Sequence, residues 1–190
     1  GYLSGAADGV WHTTGPYGGS VHALEVYEAA PSTLYAGGSA GVFRSVNGGA
    51  SWQRKDVGLP QSLYVMDLAT STNAPVLYAA RVDRVYRSGN AGDFWVPLAA
   101  LPPDTYMNQI AVRRGTSNDV ALATSNGILV SDDGGSTWSG PGATAAGTIA
   151  QVAWLADGTL YAAVQYPDPA YFAGALVLRS VDGGASWSAL

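Results

Sequence analysis

Four gapless copies of one eight-residue pattern, S-x-[DN]-x-G-x-x-W, recur along this chain at nearly constant spacing. They are Ser45-Val-Asn47-Gly-Gly49-Ala-Ser-Trp52, Ser88-Gly-Asn90-Ala-Gly92-Asp-Phe-Trp95, Ser131-Asp-Asp133-Gly-Gly135-Ser-Thr-Trp138 and Ser180-Val-Asp182-Gly-Gly184-Ala-Ser-Trp187. Successive serines lie 43, 43 and 49 residues apart, and four of the six tryptophans share this register. A repeat of this length belongs to architectures whose units bury their faces on one another.

Each copy, called a box below, reads as a tight turn. An Asx side chain accepts backbone N–H bonds inside a turn, and glycine supplies positive φ. The tryptophan then opens the next strand with a large apolar area. Short apolar strands precede the boxes at Val42-Phe43, Val85-Tyr86, Ile128-Leu129-Val130 and Leu176-Val177-Leu178. Strand, turn and strand make a hairpin.

Two further strands recur upstream. One is 33–37, 76–80, 120–124 and 159–163; the other is 20–26, 62–68, 106–112 and 148–154. Each period therefore holds four strands, a to d, which is the content of a propeller blade. The expectation is all-β: a β-propeller, or propeller arc, of four four-stranded blades. It forms a single domain over 1–190, with blades at about 17–56, 57–99, 100–140 and 141–190. Residues 1–16, with Gly9-Val10-Trp11-His12, read as a leftover or closing strand. All four box tryptophans are expected to be largely buried.

Composition agrees with sheets. Only 12% of residues are charged, glycine numbers 25, and Glu25, Glu28 and Lys55 are the whole helix-favouring Glu and Lys set. The net charge of −5 and the scattered arginines leave no basic stripe for phosphates, so nucleic acid is excluded as a partner. Without cysteine there is neither a disulfide nor a thiolate metal site. Residues 134–156 are uncharged but broken by glycines, Pro141 and Gln151, so they are not read as a membrane span. The first nine residues show no basic region before an apolar stretch; a signal peptide is expected to be absent or already removed.

The boxes resemble the Asp-box, or BNR, repeats of sialidases, xyloglucanase-type glycoside hydrolases, sortilin-like receptors and photosystem II assembly factors. The segment Gly15-Pro16-x-Gly18-Gly19-x-Val21-x-Ala23-Leu24, followed by Pro31-Ser-Thr-Leu34-Tyr35-Ala-Gly37, is similar to exported bacterial Asp-box arrays. The resemblance covers about residues 9–190 and implies a propeller. It implies no particular activity, since enzymes and non-enzymes share the box. It also implies that boxes lie at the c–d turns, away from the binding face.

Candidate binding residues therefore sit on the other face: Tyr17, His22, Tyr64, Asp83, Arg84, Tyr106, Asn108, Gln109, Gln151, Tyr166, Tyr171 and Phe172. Counting along the repeat puts His22, Tyr64, Asn108 and Ala150 at one strand-a position with four different chemistries. The segment from Gln165 to Gly174 is a longer b–c loop, stiffened by two prolines and rich in aromatics. Tyr166, Tyr171 and Phe172 there suit stacking on a sugar or a partner protein. The binding set expected is His22, Tyr64, Asn108, Gln109, Gln151, Tyr166, Tyr171 and Phe172.

Catalytic templates are weak. Arg44, Arg87 and Arg179 precede three boxes, so they repeat with the blade and read as structural. Glu25 and Asp67 count to one register on strand a. There is no Arg-Ile-Pro motif and no G-x-S-x-G elbow, and His12 and His22 have no nucleophile partner. Asp132-Asp133 lacks the later acidic ligand of a calcium loop, and Gly140-Pro141-Gly142 lacks a phosphate-binding lysine. No catalytic residue, metal or cofactor is expected.

The reading is a non-catalytic binding or scaffolding module, extracellular or periplasmic, engaging protein or glycan through one face. The alternatives are a glycoside-hydrolase propeller, or a fragment of one, and a structural subunit of an extracellular assembly. A homo-oligomer through the terminal blades is expected, because blade faces are apolar. Purified protein should show no turnover of aryl sialosides or aryl β-glucosides above buffer. Turnover abolished by Glu25→Gln or Asp67→Asn would reverse the non-catalytic reading.

Overall fold

The computed structural model describes residues 15–16, 18–61, 64–140, 148–165 and 176–190. Tyr17, Tyr166, Tyr171, Phe172 and the proposed closing strand around Trp11 lie outside them. Four antiparallel sheets follow one another along the chain. The first holds β1 (Val21–Val26), β2 (Leu34–Gly38), β3 (Gly41–Ser45) and β4 (Gln53–Arg54). The second holds β5 (Asp67–Thr70), β6 (Leu77–Ala80), β7 (Val85–Ser88) and β8 (Val96–Pro97). The third holds β9 (Met107–Val112), β10 (Val120–Thr124) and β11 (Gly127–Ser131). Its outer strand is reduced to one bridge, Val130 to Ser139. The fourth holds β12 (Thr148–Trp154), β13 (Leu160–Gln165), β14 (Leu176–Ser180) and β15 (Ser188–Ala189).

Within each sheet the strands pair in chain order, so each sheet is an a-b-c-d blade. The inner strands stack in sequence: β1 on β5, β5 on β9, β9 on β12. No comparable packing joins β12 to β1 among the described residues, so those residues form an arc.

The core lies between blades, as the alternation of strand side chains requires. Ala23, Tyr35 and Val42 of the first blade pack on Val65, Leu68, Leu77 and Trp95 of the second. Tyr78, Ala80 and Val85 pack on Met107, Ile110 and Leu122. Ala121, Ala123 and Ile128 pack on Val152, Leu160 and Leu178.

The boxes close the β3–β4, β7–β8, β11-to-Ser139 and β14–β15 turns with one geometry. In each, the serine hydroxyl donates to the Asx side chain. The distances are 2.9 Å (Ser45–Asn47), 2.8 Å (Ser88–Asn90), 2.8 Å (Ser131–Asp133) and 2.7 Å (Ser180–Asp182). The same hydroxyl accepts the N–H of the second glycine at 2.8–2.9 Å. The Asx oxygen then accepts the N–H before the tryptophan, at 2.9 Å in all four. All four serines are buried. Their hydroxyls therefore stand in for water that cannot reach the turn.

The residue before the second glycine also needs positive φ. Gly48, Gly134 and Gly183 supply it without strain, whereas Ala91 adopts φ 59° with a Cβ attached.

The box tryptophans are covered to different degrees. Trp95 is buried, but Trp52, Trp138 and Trp187 are only half-buried. The box turn turns each tryptophan toward the preceding blade, so its cover depends on that neighbour. The chain after β4 wraps Trp95: Lys55 C=O accepts its indole N–H at 2.8 Å, and Val57 C=O accepts its backbone N–H at 2.9 Å. A Cβ at Gly58 would run into the Trp95 carbonyl. Trp138 packs on the second blade's cluster with Leu98 and Leu101 but gains no indole acceptor. Among the described residues, the Trp187 indole N–H bonds only its own turn, at Gly184 C=O.

Urea unfolding of three variants checks this account. Ser88→Ala strands the Gly92 N–H and should cost about 1–3 kcal/mol. Trp95→Ala should cost about 3–5 kcal/mol, and more than Trp52→Ala. Ala91→Gly should stabilise by about 1 kcal/mol through relief of the left-handed backbone.

Candidate functional site

The a–b loops and the boxes occupy one end of the blades. The other end carries the starts of the a strands and the b–c turns. At this second end, Ser39 ties the chain entering β1: it donates its N–H to Ser20 C=O and accepts the Ser20 N–H on its hydroxyl, both at 3.0 Å. Ser125 repeats the clamp on Tyr106. These serines were not among the sequence candidates, because a lone serine after a strand carries no distinctive signal.

The clamps present an aromatic surface. The His22 ring lies 4.6 Å from the Tyr64 ring, tilted by 37°. His22 Nε2 is 2.8 Å from the Ser20 hydroxyl. Tyr64 is 47% exposed and Tyr106 53% exposed. Two exposed tyrosines on one end, with the Ser20 hydroxyl on His22, give a surface able to stack and to hydrogen-bond at once.

The strand-a register differs from simple counting. The pairing of β1, β9 and β12 with their b strands skips one residue each, at His22, Asn108 and Ala150. These are β-bulges, and they do share one position. Tyr64 does not: Asp67 pairs with Ala80 as Gln109 pairs with Ala123, which places Met66 in the bulge register. Glu25 and Asp67 also separate, since Glu25 pairs with Tyr35 while Asp67 pairs beyond Tyr78, with Ala80. The second blade's a strand lies two residues further along than counting assumes, and a two-residue shift keeps every side chain on its face, so the alternation does not reveal it.

Two of the candidates, Gln109 and Asn108, form interblade bonds, as does Asp67. Gln109 Oε1 accepts the Val152 N–H of the next blade at 2.7 Å. Asp67, in the same register, accepts the Ile110 N–H at 3.0 Å. Asn108 Nδ2 donates to Ile149 C=O at 2.8 Å. These groups are spent on holding blades together. Gln151 continues the Asp67–Gln109 register on the fourth blade and is exposed. Asp83 forms a surface pair with Arg81 at 3.1 Å.

The two acidic groups on strand a do not form a free pair. Asp67 Oδ1 accepts the Leu68 N–H at 3.0 Å while Oδ2 accepts that of Ile110, so both oxygens are committed. Burial nonetheless raises its pKa above the usual range, against those two bonds. Glu25 accepts the Thr70 hydroxyl at 3.2 Å, and burial pushes its carboxyl from 4.5 up to about 7, with Asp67 and Glu28 adding repulsion. At the box end the signs reverse. Backbone and hydroxyl donors hold Asp133 and Asp182 down to about 2.

No protein-family model matches the chain, and no curated protein matches it in sequence. Solved propeller structures do match its fold. An ancestral GH74 enzyme is 21% identical with a TM-score of 0.70, over 90% of this chain and 25% of that one. The GH74 xyloglucanase of Xanthomonas campestris is 23% identical with a TM-score of 0.68, over 90% of this chain and 30% of that one. A YCF48 structure bound to D1 peptide is 13% identical with a TM-score of 0.65, over 92% of this chain and 55% of that one. The chain thus spans a quarter to a little over half the length of these proteins, and the likeness establishes the propeller fold.

Glu25 makes stability fall as pH rises toward neutrality. The folded chain holds its proton more tightly than the unfolded chain between 4.5 and about 7, so stability falls as pH rises through that window. Glu25→Gln should flatten the fall in melting temperature across that window and raise stability above it. Asp67, also raised, leaves a residual slope. The acid-side loss from Asp133 and Asp182, whose pKa values are lowered, should persist in the variant as pH drops below their ordinary range toward about 2.

Proposed function

We propose that this chain is a non-catalytic binding module of the Asp-box kind, exported from its cell, that engages a protein or glycan through the end opposite the boxes. The observation that carries this reading is the exposed His22–Tyr64 stack with Tyr106 on the same end. Aromatic rings backed by hydroxyls are the surface that sugars and peptides use. A propeller of similar fold was solved with a peptide bound, which supports a peptide-sized partner. Export rests on the resemblance of the Gly15–Gly37 segment to exported arrays.

A glycoside-hydrolase reading is favoured by one observation, the Glu25 carboxyl held near 7, the range a general acid needs. Against it, Asp67 spends both oxygens on backbone N–H groups and offers no second free carboxylate.

We also infer that the open ends join a second copy of the chain. The outer face of the fourth blade pairs Tyr161 with Arg179, as Tyr35 pairs with Arg44 and Tyr78 with Arg87. In the first blade that pair holds the next box: Tyr35 and Arg44 both donate to Ala91 C=O, at 3.3 and 2.9 Å. The fourth blade therefore carries a latch for a further box, with Gln151 beside it. The first blade offers the matching apolar face, with Leu24 64% and Val26 46% exposed. Two arcs joined head to tail at both ends close a ring.

Two experiments test these readings. Glycan-array and displayed-peptide screens should return ligands whose affinity falls about tenfold with Tyr64→Ala; ligands indifferent to Tyr64 and His22 would defeat the proposed face. Light scattering should give twice the 19.5 kDa chain mass. Tyr161→Ala with Arg179→Ala should return the mass to one chain, whereas a single-chain mass for the unaltered protein rejects the dimer.

A further inference from the structure

Each of the first two blade interfaces is filled by a tyrosine and an arginine reaching toward the next box. The third interface lacks both. In register, Ala121 and Val130 stand where the first blade has Tyr35 and Arg44 and the second has Tyr78 and Arg87. The consequence shows at the box glycines. A Cβ on Gly134 would meet the Tyr78 hydroxyl at 3.4 Å and Arg87 Nε at 3.5 Å; at Gly183, the same position of the fourth box, nothing lies within 4 Å.

The space left is a cavity of about 520 Å³ between the third and fourth blades. That volume suits a bound side chain or small ligand. Val130 and Gly183 form part of its wall, and the Trp154 ring another. Four carboxylates line it: Asp119, Asp132, Asp157 and Asp182. Among the described residues that line it, the one cation, Arg113, is already committed to Asp119 at 3.1 Å. Hydrogen bonds hold Asp157 and Asp182 below the ordinary carboxylate range, so both are ionised at neutral pH.

The first interface shows what such a cavity receives. There the Arg44 guanidinium donates to the Ala91 carbonyl at 2.9 Å and lies 3.6 Å from Asp93. Gly183 is the residue equivalent to Ala91, and the carboxylates around it exceed what Arg44 meets. A guanidinium is planar, stays charged and carries five donors, so it satisfies a carbonyl and carboxylates together.

We propose that the cavity between the third and fourth blades receives an arginine side chain presented by a partner polypeptide. The site lies at the box end and does not depend on the aromatic surface at the other end.

The test is nuclear magnetic resonance on the labelled full chain, titrated with acetyl-Gly-Arg-Gly-amide. The lysine and citrulline counterparts serve as comparisons. Saturable shifts should centre on the Trp154 indole and the Gly183 amide, weaken with lysine and vanish with citrulline, which keeps the shape without the charge. Val130→Arg should fill the cavity from within, as Arg44 does, and abolish the shifts while keeping the fold. If that variant does not fold, Asp132→Asn with Asp157→Asn decides, with an expected loss of about tenfold in affinity. Tyr64→Ala should leave the arginine shifts unchanged, so failure of either site is read separately. Equal response to citrulline, shifts elsewhere, or undiminished binding in the folded variants would overturn the proposal.

Discussion

One buried hydroxyl per blade organises the molecule. The box serine donates to the Asx and accepts a glycine N–H at once, so three residues of a turn are fixed by a single oxygen. Water could do the same at an exposed turn, but these serines are buried, and an unmet N–H there carries the full desolvation cost. With the turn fixed, the Asx oxygen locks the N–H before the tryptophan, and the ring is aimed at the preceding blade. The box is thus a local device with an interblade purpose: it orients the residue through which one sheet seats on another.

Interblade seating then varies while the turn does not. At the strand-a end, Asp67 and Gln109 reach a backbone N–H of the next blade from one register. The first blade has Ala23 in that register, and there the Leu68 N–H is taken by its own neighbour Asp67. At the box end, the Tyr–Arg pair serves two blades and is missing from the third. In a repeat whose units touch only their neighbours, each interface can change without disturbing the others. That independence lets one interface open a cavity while the next stays packed.

Much of this was legible in the sequence. The boxes, the four strands per period and the structural nature of Arg44 and Arg87 all follow from residue types at fixed spacing. The serine's double role did not, since the sequence shows which residue recurs but not which atom it faces. The strand-a register did not either. The bulges at His22, Asn108 and Ala150 share one position, but the second blade's a strand is offset by two residues, which period-two alternation does not reveal, so counting misplaced Tyr64 and joined Glu25 to Asp67. Asn108 and Gln109 looked like site residues because polar groups on an inner strand suggest a ligand; their partners are backbone groups of the next blade, which no single repeat reveals. Tyr166, Tyr171 and Phe172 fall outside the described residues.

The same reasoning explains why Glu25 is the costly residue of the strand-a end. Its register position is alanine in the other blades, at Ala69, Ala111 and Ala153, each facing a strand-b neighbour across the sheet. A carboxyl placed there loses water without gaining a backbone donor, and only the Thr70 hydroxyl reaches it. Asp67, two bonds better served, is raised as well, so two carboxylates share one interface with little to neutralise them. Alanine takes this position in the other three blades, buried at Ala69 and exposed at Ala153. The first interface is thus the one whose stability falls as the Glu25 carboxyl gives up its proton.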